Sequence, residues 1–75
     1  MATRVSNGAA IKAIRERTGI NQPEFAKRIG VSQGALSNIE RGNRRASPAM
    51  IRKIADELGV SFDAVTENVI DAAVA

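Results

Sequence analysis

The chain has no cysteine, no histidine, no tryptophan and no tyrosine; Phe25 and Phe62 are its only aromatic residues. Each absence closes a route. Without cysteine there is no disulfide and no thiolate metal site. Without histidine the usual general base near neutral pH and the commonest metal ligand are missing. Zinc chemistry, Cys–His nucleophiles and Ser–His–Asp triads are therefore excluded, and neither a metal nor another cofactor is expected. The longest apolar run is only a few residues, too short to span a bilayer. The N-terminal stretch MATRVSNGAAIKAIRERTG lacks the unbroken apolar segment of a secretory signal. The expectation is a soluble cytoplasmic protein that is not an enzyme, since no acid–base pair or activated nucleophile is visible.

What is present is small and unevenly charged. Seventy-five residues allow one domain with a modest core. Residues 1–53 hold all 11 Lys and Arg against three acids (Glu16, Glu24, Glu40), a net +8. Residues 54–75 hold five acids and no base, a net −5, which together give the overall +3. A basic front and an acidic back suit a polyanion on one side and a different partner on the other.

Helical spacing and helix-stop signals recur along the whole chain. Ser6 or Asn7 caps a first helix with Ala10, Ile11, Ile14 and Thr18 on one face, ended by Gly19. Asn21 caps a second, with Pro23 in its first turn, Glu24 at the capping-box position, an inner face of Phe25, Ala26 and Ile29, and Gly30 as its stop. Ser32 caps a third, Gln33 to Arg41, with Leu36 and Ile39 inward and Gly42 after it. Ser47-Pro48 opens a fourth, in which Ile51, Ile54, Ala55 and Leu58 recur at helical spacing up to Gly59. Ser61 caps a fifth with Phe62 and Val65; Val69 and Ile70 either continue it or form a short separate segment. No window alternates as a half-buried strand does. The expected architecture is all-α: a mobile N-terminal arm over 1–7, a five-helix domain over 8–67 and a C-terminal tail over 68–75.

The second and third helices are joined by only Gly30-Val31-Ser32, so they must cross steeply. Such a crossing needs a small residue at the close approach (Ala26), a residue tolerant of positive φ in the turn (Gly30) and apolar wedges (Phe25, Ile29, Val31, Leu36, Ile39). Through Ile20-Asn21-Gln22-Pro23-Glu24-Phe25-Ala26, Arg28-Ile29-Gly30-Val31-Ser32-Gln33 and Leu36-Ser37-Asn38-Ile39-Glu40-Arg41-Gly42, the chain resembles the lambda-repressor-like helix-turn-helix family, also called the Xre or Cro/C1 type. The similarity continues through Pro48, Ile51, Ile54 and Leu58-Gly59-Val60.

The resemblance implies sequence-specific binding to double-stranded DNA, usually by a dimer and usually for transcriptional control. A helix fits the major groove, where all four base pairs are distinguishable. Gln33, Gly34, Ser37 and Asn38 form the expected base-reading edge, with Gln33 suited to a bidentate contact with adenine. Gly34 has no side chain with which to read, so the DNA comes close there or that base pair is poorly discriminated. Asn21, Gln22 and Ser32 at helix N-termini, with Arg41, Asn43, Arg44 and Arg45 around the following loop, form the expected phosphate-binding set. The resemblance further implies that Gln22 buttresses Gln33, and that Arg15 and Glu40 form a buried ion pair locking the first helix to the third.

The acidic C-terminal segment carries Phe62, Val65, Val69 and Ile70, which are expected to form a homodimer contact that sets two reading helices about 34 Å apart on a palindromic operator. A repressor of the phage Cro or restriction-modification controller type is the leading expectation, nucleoid-associated when bound. An antitoxin that represses its own operon and meets a protein partner through the acidic segment is a second. A protein-interaction module that has lost DNA binding is a third.

Overall fold

The computed structural model describes residues 2–70, with side chains from Thr3 to Val69. The order is β1 (Ala2–Ser6), α1 (Gly8–Thr18), α2 (Gln22–Ile29), α3 (Gln33–Glu40), α4 (Pro48–Leu58), a single 3-10 turn (Phe62–Val65) and β2 (Thr66–Ile70). Each helix starts where a short polar side chain replaces a missing backbone partner. Asn7 accepts from the Ala10 amide at 3.1 Å, Asn21 from Glu24 at 2.9 Å, Ser32 from Ala35 at 3.1 Å and Ser47 from Met50 at 3.2 Å. The Glu24 carboxylate turns away from its cap and meets Arg28 Nε at 3.4 Å.

Ile11, Phe25, Ile29, Leu36, Ile54 and Val65 are fully buried, joined by Ala26, Ile39, Ile51, Ala55 and Leu58. They converge because each helix carries one apolar stripe at helical spacing and has nowhere else to bury it. Gly30, at φ 76°, reverses the chain between α2 and α3 in a conformation that disfavours other residues. A second glycine works by proximity. A Cβ on Gly8 would lie 2.6 Å from the Glu40 carbonyl oxygen and closer still to that of Ile39. The start of α1 therefore rests directly on the backbone at the end of α3.

Two expectations are corrected. Among the described residues there is no fifth α-helix: after one 3-10 turn the chain extends as β2, antiparallel to β1, with Arg4 opposite Asn68 and Ser6 opposite Thr66. The segment read as a mobile arm is therefore a strand over Ala2–Ser6. Partners sixty or more residues apart leave no local periodicity to read, while Val5, Thr66, Val69 and Ile70 are β-branched and suit a pleat. Val65 is corrected as well. It is fully buried in the core and offers no surface to a second copy, and Phe62 is half-buried against the same core. Met1 and residues 71–75, the end of the expected tail, lie outside the described residues.

The ribbon of β1 and β2 is held by Arg4. Its guanidinium donates to Thr66 Oγ1 at 2.9 and 2.7 Å and lies 3.5 Å from an Asp63 carboxylate oxygen. Among the described residues, no helix is long and apolar enough to cross a membrane.

Candidate nucleic-acid interface

The outward face of α3 is assembled by elimination. Leu36, Ile39 and Glu40 point inward, and the 3.6-residue period leaves Gln33, Gly34, Ser37 and Asn38 on the opposite side. Gln33 and Gly34 are exposed; Ser37 and Asn38 are partly so. Beyond its chain neighbours and the backbone of its own helix, no atom of the described residues lies within 4 Å of where a Cβ of Gly34 would sit, and its φ is not positive. Neither packing nor backbone strain within the domain calls for glycine there.

Gln33 is connected to the interior by a chain of polar contacts. Arg15 Nε donates to Glu40 Oε2 at 2.7 Å and Arg15 Nη2 to Glu40 Oε1 at 3.1 Å, a two-pronged pair with both side chains buried. Arg15 Nη1 also donates to the Ile20 carbonyl at 2.8 Å. The hydrogen bond to Glu40 drives the Arg15 pKa above its already high ordinary value, against the opposing effect of burial. Glu40 Oε1 also accepts from Gln22 Nε2 at 3.0 Å, and Gln22 Oε1 accepts from Gln33 Nε2 at 3.3 Å. Three helices thus meet in one network that starts at a buried charge and ends on an exposed amide. Each buried charge has its partners, which a low-dielectric interior demands.

The remaining polar groups surround this edge. Asn21 and Ser32 are exposed at the starts of α2 and α3 and serve as caps. Arg41 donates to Asn38 Oδ1 at 3.2 Å, so it is tied to α3. The Asn43 and Arg44 amides both donate to the Asn38 carbonyl, at 2.9 and 3.3 Å, which folds the loop back under α3. Arg44 is exposed and, with Arg45, lines a shallow cavity of about 220 Å³ together with Val31, Ala35, Ile39, Ala46, Ser47 and Met50. Arg45 is tied down. It donates to the Ser6 carbonyl at 2.8 Å and lies 3.8 Å from Glu67. Its half-exposed side chain also lines the cavity beside Arg44.

One supporting residue escaped the sequence reading. Ser6 is buried, and its Oγ accepts from the Ala46 amide at 3.0 Å. The root of the ribbon therefore anchors the loop that carries Arg44. A serine next to a helix cap gives no signal of a partner forty residues away.

Residues 11–65 match the helix-turn-helix family HTH_3. The chain is 46% identical over 56 residues to the HTH-type transcriptional regulator YazB of Bacillus subtilis, covering 75% of this chain and 81% of YazB. It spans between 15% and 40% of several longer curated relatives. Among solved structures it is similar to the restriction-modification controller protein C.AhdI from Aeromonas hydrophila, with 26% identity, 76% and 86% of the two chains covered and a TM-score of 0.72. It is also similar to the P22 c2 repressor protein in complex with synthetic operator 9T, with 30% identity, 75% and 85% covered and a TM-score of 0.70.

Proposed function

The chain belongs to the HTH_3 helix-turn-helix family of transcriptional regulators, of the Xre or Cro/C1 type, and on that premise we propose that it represses transcription by inserting α3 into the major groove of a palindromic operator, as a homodimer. Gln33 reads a base, most suitably adenine, through its two amide atoms. Ser37 and Asn38 read further along the groove, and Gly34 lets the DNA approach the backbone. Phosphates are held by the N-terminus of α2 at Asn21 and Gln22, by the N-terminus of α3 at Ser32, and by Arg41, Asn43 and Arg44 beside the groove. Arg45 acts on the loop by fastening it to Ser6 and adds long-range positive charge. The homodimer contact is formed by the C-terminal segment around Val69, and the molecule works in the cytoplasm, on the nucleoid when bound.

What supports this reading above all is the relay from Arg15 through Glu40 and Gln22 to Gln33. It restrains an exposed glutamine from within, reducing the side-chain entropy lost when a base pair is gripped. A surface without a partner gains nothing from such a restraint.

Gel-shift titration against genomic fragments at several salt concentrations tests the proposal. Gln33→Ala should lose about 1–3 kcal/mol of discrimination at particular base pairs. Arg44→Ala should weaken binding to all sequences alike and flatten the salt slope by about one. If both variants bind as the wild type does, these roles are wrong; if the wild type shows no sequence preference, so is the operator reading.

A further inference from the structure

The cavity of about 220 Å³ between the flank of α3 and the start of α4 has two unlike walls. One is apolar. Val31, Ala46 and Met50 are half-buried and pack on the core, and Ala35 and Ile39 of α3 lie beside them. The other is cationic. Arg44 and Arg45 line it, and among the described residues no carboxylate does.

The two arginines are not equivalent. Arg45 donates to the Ser6 carbonyl at 2.8 Å and lies 3.8 Å from Glu67. The Arg44 guanidinium is exposed and has no ion pair among the described residues. Its backbone is nonetheless fixed, because its amide donates to the Asn38 carbonyl at 3.3 Å. The result is an unneutralised charge on a fixed backbone, next to a half-buried apolar wall.

A DNA phosphate suits Arg44 but makes no use of that wall, since backbone contacts are charged and polar. Both walls are used only by a ligand with an anion at one end and hydrocarbon at the other. A carboxylate matches the guanidinium fork. A tail laid on Val31, Ala35 and Met50 gains by leaving water. The cavity is smaller than the roughly 300–1,000 Å³ of drug-sized pockets, so the tail is a few carbons or one ring.

We propose that this cavity binds a small amphipathic monocarboxylate, its anion on Arg44 and its tail between α3 and α4, and that the bound ligand releases DNA. The release follows from one shared group: a carboxylate on Arg44 takes the place of the phosphate that Arg44 would hold. Ligand and DNA therefore weaken each other by the same factor. The release rests on the proposed function; the ligand site does not.

Hexanoate is the probe, titrated into the full chain at constant ionic strength and followed by backbone amide chemical shifts. Saturable shifts should centre on Ala35, Arg44, Ala46 and Met50. Hexanoate should bind at least about tenfold tighter than acetate, which lacks the tail, and than hexanol, which lacks the charge. Arg44→Gln should bind hexanoate no better than hexanol. Ala46→Leu, which fills the cavity, should lose the shifts at Ala35 and Met50; circular dichroism checks that both variants fold. In gel shifts hexanoate should weaken operator binding at least about fivefold, and hexanol should not. The site is overturned if inorganic phosphate matches hexanoate, if Arg44→Gln binds hexanoate as the wild type does, or if the shifts never saturate. Shifts centred instead on the groove of Ile14, Arg17, Leu58 and Val60 overturn it as well. Saturable binding with unchanged operator affinity overturns the release and leaves the site. A chain that binds hexanoate in the cavity but shows no sequence preference for DNA keeps the site and overturns the operator reading, with the release.

Discussion

Replacing Arg15 by methionine isolates what the buried ion pair contributes. The change removes the guanidinium and leaves the Glu40 carboxylate buried, with Gln22 as its remaining side-chain partner among the contacts above. It also frees the Ile20 carbonyl that Arg15 Nη1 satisfies. Breaking a buried pair from one side costs about 3–5 kcal/mol. The whole stability of a domain of 75 residues is about 4–11 kcal/mol. Arg15→Met should therefore lower the midpoint of thermal unfolding by roughly 15–30 °C, or leave the chain largely unfolded at 37 °C. Adding Glu40→Leu removes the stranded charge. The double variant should recover to within about 1.5 kcal/mol of the wild type, because an apolar replacement of a buried pair is often neutral. Gln22 is only partly buried and can turn to water. The assay is urea and thermal unfolding of wild type, both single variants and the double variant, closed as a thermodynamic cycle. A loss below about 1 kcal/mol for Arg15→Met, or a double variant no more stable than the single ones, would refute the reasoning. The double variant also separates folding from reading. It should fold yet discriminate operator from random DNA less well, because Gln22 has lost its anchor. The pair should impose no pH dependence through Arg15. A group whose pKa is raised on folding contributes its full stability below the unfolded value and loses it only as pH climbs through the folded one. For Arg15 both lie beyond the alkaline limit of the experiment.

Gly8→Ala should destabilise by about 1–3 kcal/mol in urea unfolding despite alanine's better helix propensity, because its Cβ meets backbone oxygens of Ile39 and Glu40 that cannot rotate away. Ser6→Ala strands the Ala46 amide and should cost about 1–3 kcal/mol in the same assay, with a parallel loss of DNA affinity as the Arg44 loop loosens. Arg4→Ala should open the ribbon locally: hydrogen exchange at the Glu67 and Val69 amides should speed up while amides in α1 to α4 keep their protection. Equal acceleration throughout the domain would mean that the ribbon and the helices unfold as one unit.

Much of the helical part was legible because its causes are local. Asn21, Ser32 and Ser47 cap whatever helix follows them, Gly30 permits the turn, and the spacing of Phe25, Ile29, Leu36, Ile51 and Ile54 assigns each helix an inner face. With the inner faces assigned, the outward position of Gln33 on α3 follows from the helical period alone.

The tertiary structure decided whatever joins distant parts of the chain. Residues 66–70 become a strand because residues 2–6 lie beside them; neither segment could declare this alone, since an edge strand is stabilised by its partner and scarcely by its own propensity. Val65 passes from surface to core, and Arg45 acquires the Ser6 carbonyl as a partner, for the same reason. Gly8 reads as an ordinary helix-start glycine until the end of α3 is seen to rest on it. Caps, turns and apolar periodicity act within a few residues and are written in the order of the chain. Close approach, strand pairing and the partner of a long side chain depend on separations that only the folded path sets.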